Sequence, residues 1–285
     1  MRRTMNIDSI LTIQNIKRTS VEVIKKLMKM SRMDLYAATL RVQNDLHIDD
    51  NSQYLATLPK WMAAKSVLDL GCGPGDMIGG LCHRYADKQY SGVDRNWLFI
   101  LRAKKLLKSL TNCTFYRANL YKFAKGRYDF VILRAVLQHL SDPGRFMRRL
   151  PALLNEGAPV LFFETTRENF ITADPSIPTF DEFYSRMEEV QKKHTGSRDC
   201  IAELERDLSQ FGFRLLALDT PVYPVTAPEN RLKVVQYLIL ACTTAKRLMR
   251  MPIDLERLLA DLLHWYEAKE SQLSLKSRRM LIERM

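Results

Sequence analysis

At 285 residues, with 46% hydrophobic and 27% charged residues, the chain suffices for one large domain, or one domain with appendages, around a sizeable core. No apolar run reaches the ~18 residues of a membrane span, and the basic start Met1-Arg2-Arg3 is followed by interrupted polar sequence, so neither a span nor a secretory signal is expected. The net charge of +12 is uneven: residues 1–33 hold eight Lys/Arg against two acids and residues 101–150 twelve against two, which suits an anionic partner (nucleic acid, acidic lipid, anionic substrate) or a solvated basic face.

Residues 1–60 read as helical. Ile10, Ile13, Ile16, Val23, Ile24, Leu27 and Met28 recur at helical spacing, and a second helix is expected over about 33–45. His47-Ile48-Asp49-Asp50-Asn51 reads as a loop, and 52–61 as a short helix. From Ser66 short apolar runs alternate with helical stretches, the pattern of βαβ units with strands buried on both faces. The predicted strands are 66–70, 89–93, 114–117, 129–133, 159–163 and 214–219. Predicted helices cover 97–110, 144–154, 180–193 and 201–210. Residues 165–200 break the alternation and read as a cap. Thr226 and Glu229 have capping-box spacing ahead of a helix that competes with a strand over 234–241. Asp254 caps a second helix bearing Leu255, Leu258, Leu259, Leu262, Leu263 and Tyr266 on one stripe, and 278–284 reads as a terminal strand.

The chemistry concentrates in Val67-Leu68-Asp69-Leu70-Gly71-Cys72-Gly73-Pro74-Gly75-Asp76. A buried strand ends in a turn whose glycines let backbone approach a ligand closely. Dinucleotide folds use G-x-G-x-x-G to seat a pyrophosphate, but here the sixth place is Asp76, which would repel it. Asp69 suits a ligand with an ammonium group. Asp94 closes the second strand 23 residues beyond Gly71, where a carboxylate can accept both ribose hydroxyls or, alternatively, cap a helix.

Asp69, Gly71, Gly73 and Gly75 match D/E-x-G-x-G-x-G, and Phe130 to Pro143 holds V-L-x-H-L-x-D-P after its strand. These motifs resemble the class I S-adenosylmethionine-dependent methyltransferases of the small-molecule branch over about residues 64–165, plus the strand at 214–219. The resemblance implies an α/β, Rossmann-like, doubly wound seven-stranded sheet with added N-terminal and C-terminal helices. It implies 1–60 as a helical segment, 61–222 as core with the 165–200 cap inserted, and 223–285 as helices and last strand. S-adenosylmethionine is the implied cofactor. Asp69, Gly71, Cys72, Gly73 and Gly75 would lie in its turn and Asp94 at the ribose. Arg95, with Trp97, would flank the adenine. Asn119, where the family has an acid, and Leu120 would meet its amino edge. Leu133, Arg134 and Gln138 would line the methionine end.

The implied reaction is in-line O- or N-methylation of a small molecule. Candidates for a base are His139, Glu164, His194 and Tyr36. No metal site is expected, because the cysteines at 72, 82, 113, 200 and 242 lack ligand spacing; they read as reduced thiols in cytoplasm. The N-terminal segment and the cap are expected to roof the acceptor, with Tyr36, Phe180, Phe183 and Tyr184 in the lining. An RNA or protein acceptor, and a non-catalytic cofactor-binding protein, are the competing readings.

Overall fold

The computed structural model describes residues 7–164, 171–193, 197, 199–268 and 270–285. His194 and part of the expected cap lie outside them. The first elements are α1 (Ile7–Ile10), α2 (Ile13–Lys29), α3 (Arg32–Ala56) and α4 (Pro59–Ala63). Then follow β1 (Ser66–Leu70), α5 (Asp76–Arg84), β2 (Gln89–Asp94), α6 (Trp97–Leu106), β3 (Cys113–Arg117), β4 (Phe130–Arg134), α7 (Pro143–Arg149) and β5 (Pro159–Glu164). The chain continues through β6 (Ile171–Asp174), α8 (Pro178–Lys193), α9 (Cys200–Asp207), β7 (Phe213–Asp219) and β8 (Val222–Pro224). It ends with α10 (Pro228–Leu248), α11 (Leu255–Glu267), β9 (Gln272–Lys276) and β10 (Arg278–Arg284).

Two compact units form. One comprises Met1–Leu46, Ile171–Glu189 and Tyr223–Leu275; the other comprises His47–Phe170, Val190–Val222 and Lys276–Met285. The second holds a seven-stranded sheet in the order β3-β2-β1-β4-β5-β10-β7. Its first five strands pair in parallel, and β10 runs antiparallel between β5 and β7. The order reverses at β1, so the carboxyl ends of β1 and β4 open a crevice of the kind that receives ligands in such sheets.

Alternation along the strands builds a layer on each face. Leu68, Leu70, Val131, Leu133, Val160 and Phe162 face one layer, closed by Phe146 and Met147 of α7 and Ile201 and Leu204 of α9. Val67, Phe130, Ile132, Leu161 and Phe163 face the other, closed by Ile48 and Leu55 of α3, Trp61, Ile78 of α5 and Ile100 of α6. Beside Trp61 the buried Lys88 ammonium donates to the carbonyls of Met62 and Ala64. Those carbonyls and the ring face replace the water it loses.

The stretch 47–51, expected as a loop, is helical and continuous with both flanks in the 25-residue α3. Its buried residues do not share one stripe. Leu35, Thr39 and Val42 lie on one side, while Ile48, Ser52 and Leu55 lie about half a turn round. A helix that changes its buried face shows no single periodicity to read.

The expected capping box is absent as well. Ala227 takes the N-cap place of α10 and no side chain caps it, so Asn230, not Glu229, falls third in the helix. Pro228 starts α10, which is buried along most of its length and includes the competing strand segment 234–241. Asp254 does cap α11, accepting from Glu256 N and Arg257 N at 3.0 Å. Three short strands were not foreseen: β6, β8 and β9 form a small sheet in the order β6-β9-β8.

Candidate functional site

The glycine turn leaves the carboxyl end of β1 with Gly71, Gly73 and Gly75 all at positive φ (+83°, +54° and +88°). A side chain at 71 would also collide, since a Cβ there would sit 2.4 Å from Val136 Cγ2. Gly75 is the N-cap of α5, so the turn leads straight into that helix. Gly71 N and Cys72 N both donate to Val93 O, at 2.7 and 3.0 Å, which ties the turn to β2. Cys72 is buried and its thiol is pushed up by burial, so it acts as packing in the turn.

Asp94 ends β2 opposite the turn. Its carboxylate accepts from Gly73 N at 3.0 Å and from Asn96 N at 2.7 Å. Asn96, rather than Asp94, caps α6 through Leu98 N. Asp94 therefore clamps the glycine turn to the start of α6 and keeps lone pairs for a ligand. Burial raises its pKa, against the pull of those backbone donors.

Asp69 points into the α3 side of the sheet, 4% exposed, and makes no hydrogen bond among the described residues. Burial pushes it up to about 7; the Arg134 guanidinium opposes this and Asp94 adds to it. Arg134, at the end of β4, follows Phe130 and Ile132 onto the same side. His47, on α3, also feels Arg134: loss of water first, then that cation, push it down to about 4. Tyr54, two turns further along α3, packs edge-on against Phe163 and lies 3.8 Å under the Arg279 guanidinium. Arg279 in turn donates to Asp219.

Beyond β4, Ala135 adopts φ +53°, a costly conformation for an alanine. Glu164 holds the chain there: one carboxylate oxygen accepts from Val136 N at 2.8 Å and from Leu137 N at 2.6 Å. Its other oxygen is buried without a partner among the described residues, and burial pushes the group up to about 7. Val136, placed in this way, fills the space over Gly71.

The structure thus brings together Asp69, Gly71, Cys72, Gly73, Gly75, Asp94, Arg134 and, through backbone, Glu164. Gln138 is buried in the short turn 137–139 that follows. Leu133 is not brought there; its side chain faces the opposite layer with Leu68 and Leu70. Asn119 is exposed, and its side-chain oxygen accepts from Tyr121 N at 2.9 Å, capping the turn that follows β3. Leu120 packs partly against the α7 layer. Arg95 and Trp97 are exposed, and so is His139. Tyr36, Phe180, Phe183 and Tyr184 belong to the other unit, where Phe180 packs against both Phe183 and Tyr184. An open groove of about 520 Å³ lined by Ser176, Pro178, Asp181, Glu182, Ser185 and Arg186 also belongs to that unit. No group of three or more metal-ligating side chains occurs among the described residues.

A family model described as a methyltransferase domain matches residues 42–218. The chain belongs to the methyltransferase domain family. The match begins inside α3, so it includes the His47 to Tyr54 stretch of that helix as well as the strands. A malonyl-[acyl-carrier protein] O-methyltransferase of Legionella pneumophila is 28% identical over 133 residues, 45% of each chain. A ubiquinone biosynthesis O-methyltransferase of Acinetobacter baylyi is 27% identical over 111 residues, 38% of this chain and 46% of that one. The matched stretch thus spans under half the length of these relatives. Human N-acetylserotonin methyltransferase, solved in complex with SAM, superposes with a TM-score of 0.51 at 18% identity, covering 67% of this chain and 52% of that one, and shares the fold.

Sequence reasoning singled out neither His47 and Tyr54, which lie within the matched residues, nor Arg279, which lies beyond them. His47 and Tyr54 share a face at i and i+7, a signal hidden by reading 47–51 as a loop. Arg279 stood in a recognised strand, but only the fold brings the start of β10 beside the carboxyl end of β5.

Proposed function

We propose that this methyltransferase domain binds S-adenosylmethionine and methylates a small molecule, at oxygen in preference to nitrogen. The observation that carries the reading is the pairing of two carboxylates across the left-handed glycine turn at the carboxyl ends of β1 and β2. Asp69 is buried without a hydrogen-bond partner among the described residues, which fits an ammonium group. Asp94 retains acceptor capacity for a pair of ribose hydroxyls. Gly71 and Gly73 keep the backbone open between them. Arg134, beside Asp69, suits a carboxylate, so the two together complement a zwitterionic amino acid end. Gln138 and the backbone of residues 71–75 complete the proposed cofactor side. Arg95, Asn119 and Leu120 supply the adenine end, Asn119 through the amide its own turn leaves free. Leu133 contributes main chain alone.

The cofactor, when bound, supplies an electrophilic methyl carbon on a sulfonium. The work left to the chain is to align the acceptor with that carbon and exclude water. Glu164 serves this as a positioning residue, since its carboxylate is committed to Val136 N and Leu137 N. His139, exposed at the end of its turn, is poorly placed to take an acceptor's proton. The oxygen preference rests on the relatives named O-methyltransferases. Incubation with methyl-labelled S-adenosylmethionine and fractionated cell extract tests the acceptor class. Label is expected in a small-molecule fraction; label confined to RNA or protein would replace the small-molecule reading.

A further inference from the structure

Between Asp94 and Asp129 the chain carries nine Lys and Arg and no acid. This stretch forms α6, the edge strand β3 and the turns after it. α6 packs on the sheet through Phe99, Ile100, Ala103 and Leu107, all at most 7% exposed. At ~100° per residue its opposite side carries Trp97, Leu101, Lys104 and Lys105, with Lys108 one turn on. Trp97 is 51% and Leu101 52% exposed. Lys104, Lys105 and Lys108 are exposed and form no ion pair among the described residues. Arg117, Lys122 and Arg127 continue the exposed positive charge along β3 and the following turn.

We propose that this outward face of α6 docks onto an anionic lipid surface. Arg117 on the edge strand β3 also discourages pairing with other chains, but that leaves Trp97 and Leu101 of α6 unexplained. An indole and a leucine one turn apart, ringed by lysines, are what an interface of acyl chains and anionic headgroups accommodates: the apolar tips enter the boundary and the ammonium groups meet phosphates. A nucleic acid would use the charge and could stack on Trp97, yet it has no use for Leu101, and no second exposed aromatic on α6 extends a stacking platform. No helix of the described chain can span a membrane, so the contact would be peripheral.

The test mixes the full chain, without cofactor, with vesicles of phosphatidylcholine alone or phosphatidylcholine with phosphatidylglycerol. Trp61 and Trp265 are fully buried, so Trp97 is the exposed indole of the three and reports the contact directly. Co-sedimentation with the phosphatidylglycerol vesicles only, a blue shift of tryptophan emission and loss of both at high salt are the expected results. Replacing Lys104, Lys105 and Lys108 together by Gln should weaken partitioning roughly a hundredfold, about fivefold per lysine. Leu101→Ser should reduce the blue shift while circular dichroism and the melting temperature stay unchanged. Absence of vesicle binding, or binding that the triple variant retains, would overturn the proposal. Binding to a single-stranded RNA homopolymer with none to vesicles would assign the face to nucleic acid instead.

Discussion

At the scale of single residues, the candidate site is held by carboxylates that serve the backbone. Asp94 is the clearest case: its oxygens satisfy Gly73 N and Asn96 N, so its contribution does not wait for a ligand. Asp94→Ala should lower the stability of the ligand-free protein by about 1–3 kcal/mol, because two backbone donors lose a charged acceptor. An unchanged urea midpoint would show that the clamp contributes nothing. Glu164 makes a prediction about pH. Its carboxyl stands near 7 in the folded chain against an ordinary 4.5. Between those values the folded chain keeps a proton that the unfolded chain has released, so this group's contribution to stability falls as pH rises from about 4.5 to about 7. Asp69, raised in the same direction, adds to the trend, and His47, lowered, opposes it. Glu164→Gln removes one of the three. The stability of wild type relative to this variant should therefore decline across the window; a pH-independent difference would contradict the assignment.

At the scale of elements, the alternating strands were legible because burial on both faces leaves short apolar runs bounded by turns. The glycine turn was legible because three positions at positive φ demand glycine. The hidden elements had a physical cause each. α3 turns its buried side by about half a turn, so 47–51 looks polar when read against either flank. β6, β8 and β9 are short, at three to five residues, and carry no periodicity long enough to stand out. Asn119 was read for a ligand, but its turn claims its side-chain oxygen first. The continuity of α3 can be tested at Asp49, which is exposed and lies within the stretch mistaken for a loop. A proline there removes a helical hydrogen bond and clashes with the preceding turn, so Asp49→Pro should cost about 3 kcal/mol or more in chemical denaturation. A loop would tolerate it, and a loss below about 0.5 kcal/mol would contradict an unbroken helix.

At the scale of the whole molecule, the strand order and the antiparallel β10 agree with the methyltransferase domain family. The two carboxylates at the glycine turn are what the proposed S-adenosylmethionine site rests on. The charge distribution is a separate matter: the cations cluster on the outward face of α6 and on the edge strand β3 with its following turn. The central claim concerns the ligand of the turn, and calorimetric titration of the purified full chain tests it most directly. S-adenosylhomocysteine should give a saturable heat with one site per chain, and NAD should give none, because Asp76 stands where a pyrophosphate would need a bare helix start. Saturable binding of NAD, with no response to either S-adenosylhomocysteine or S-adenosylmethionine, would contradict the account.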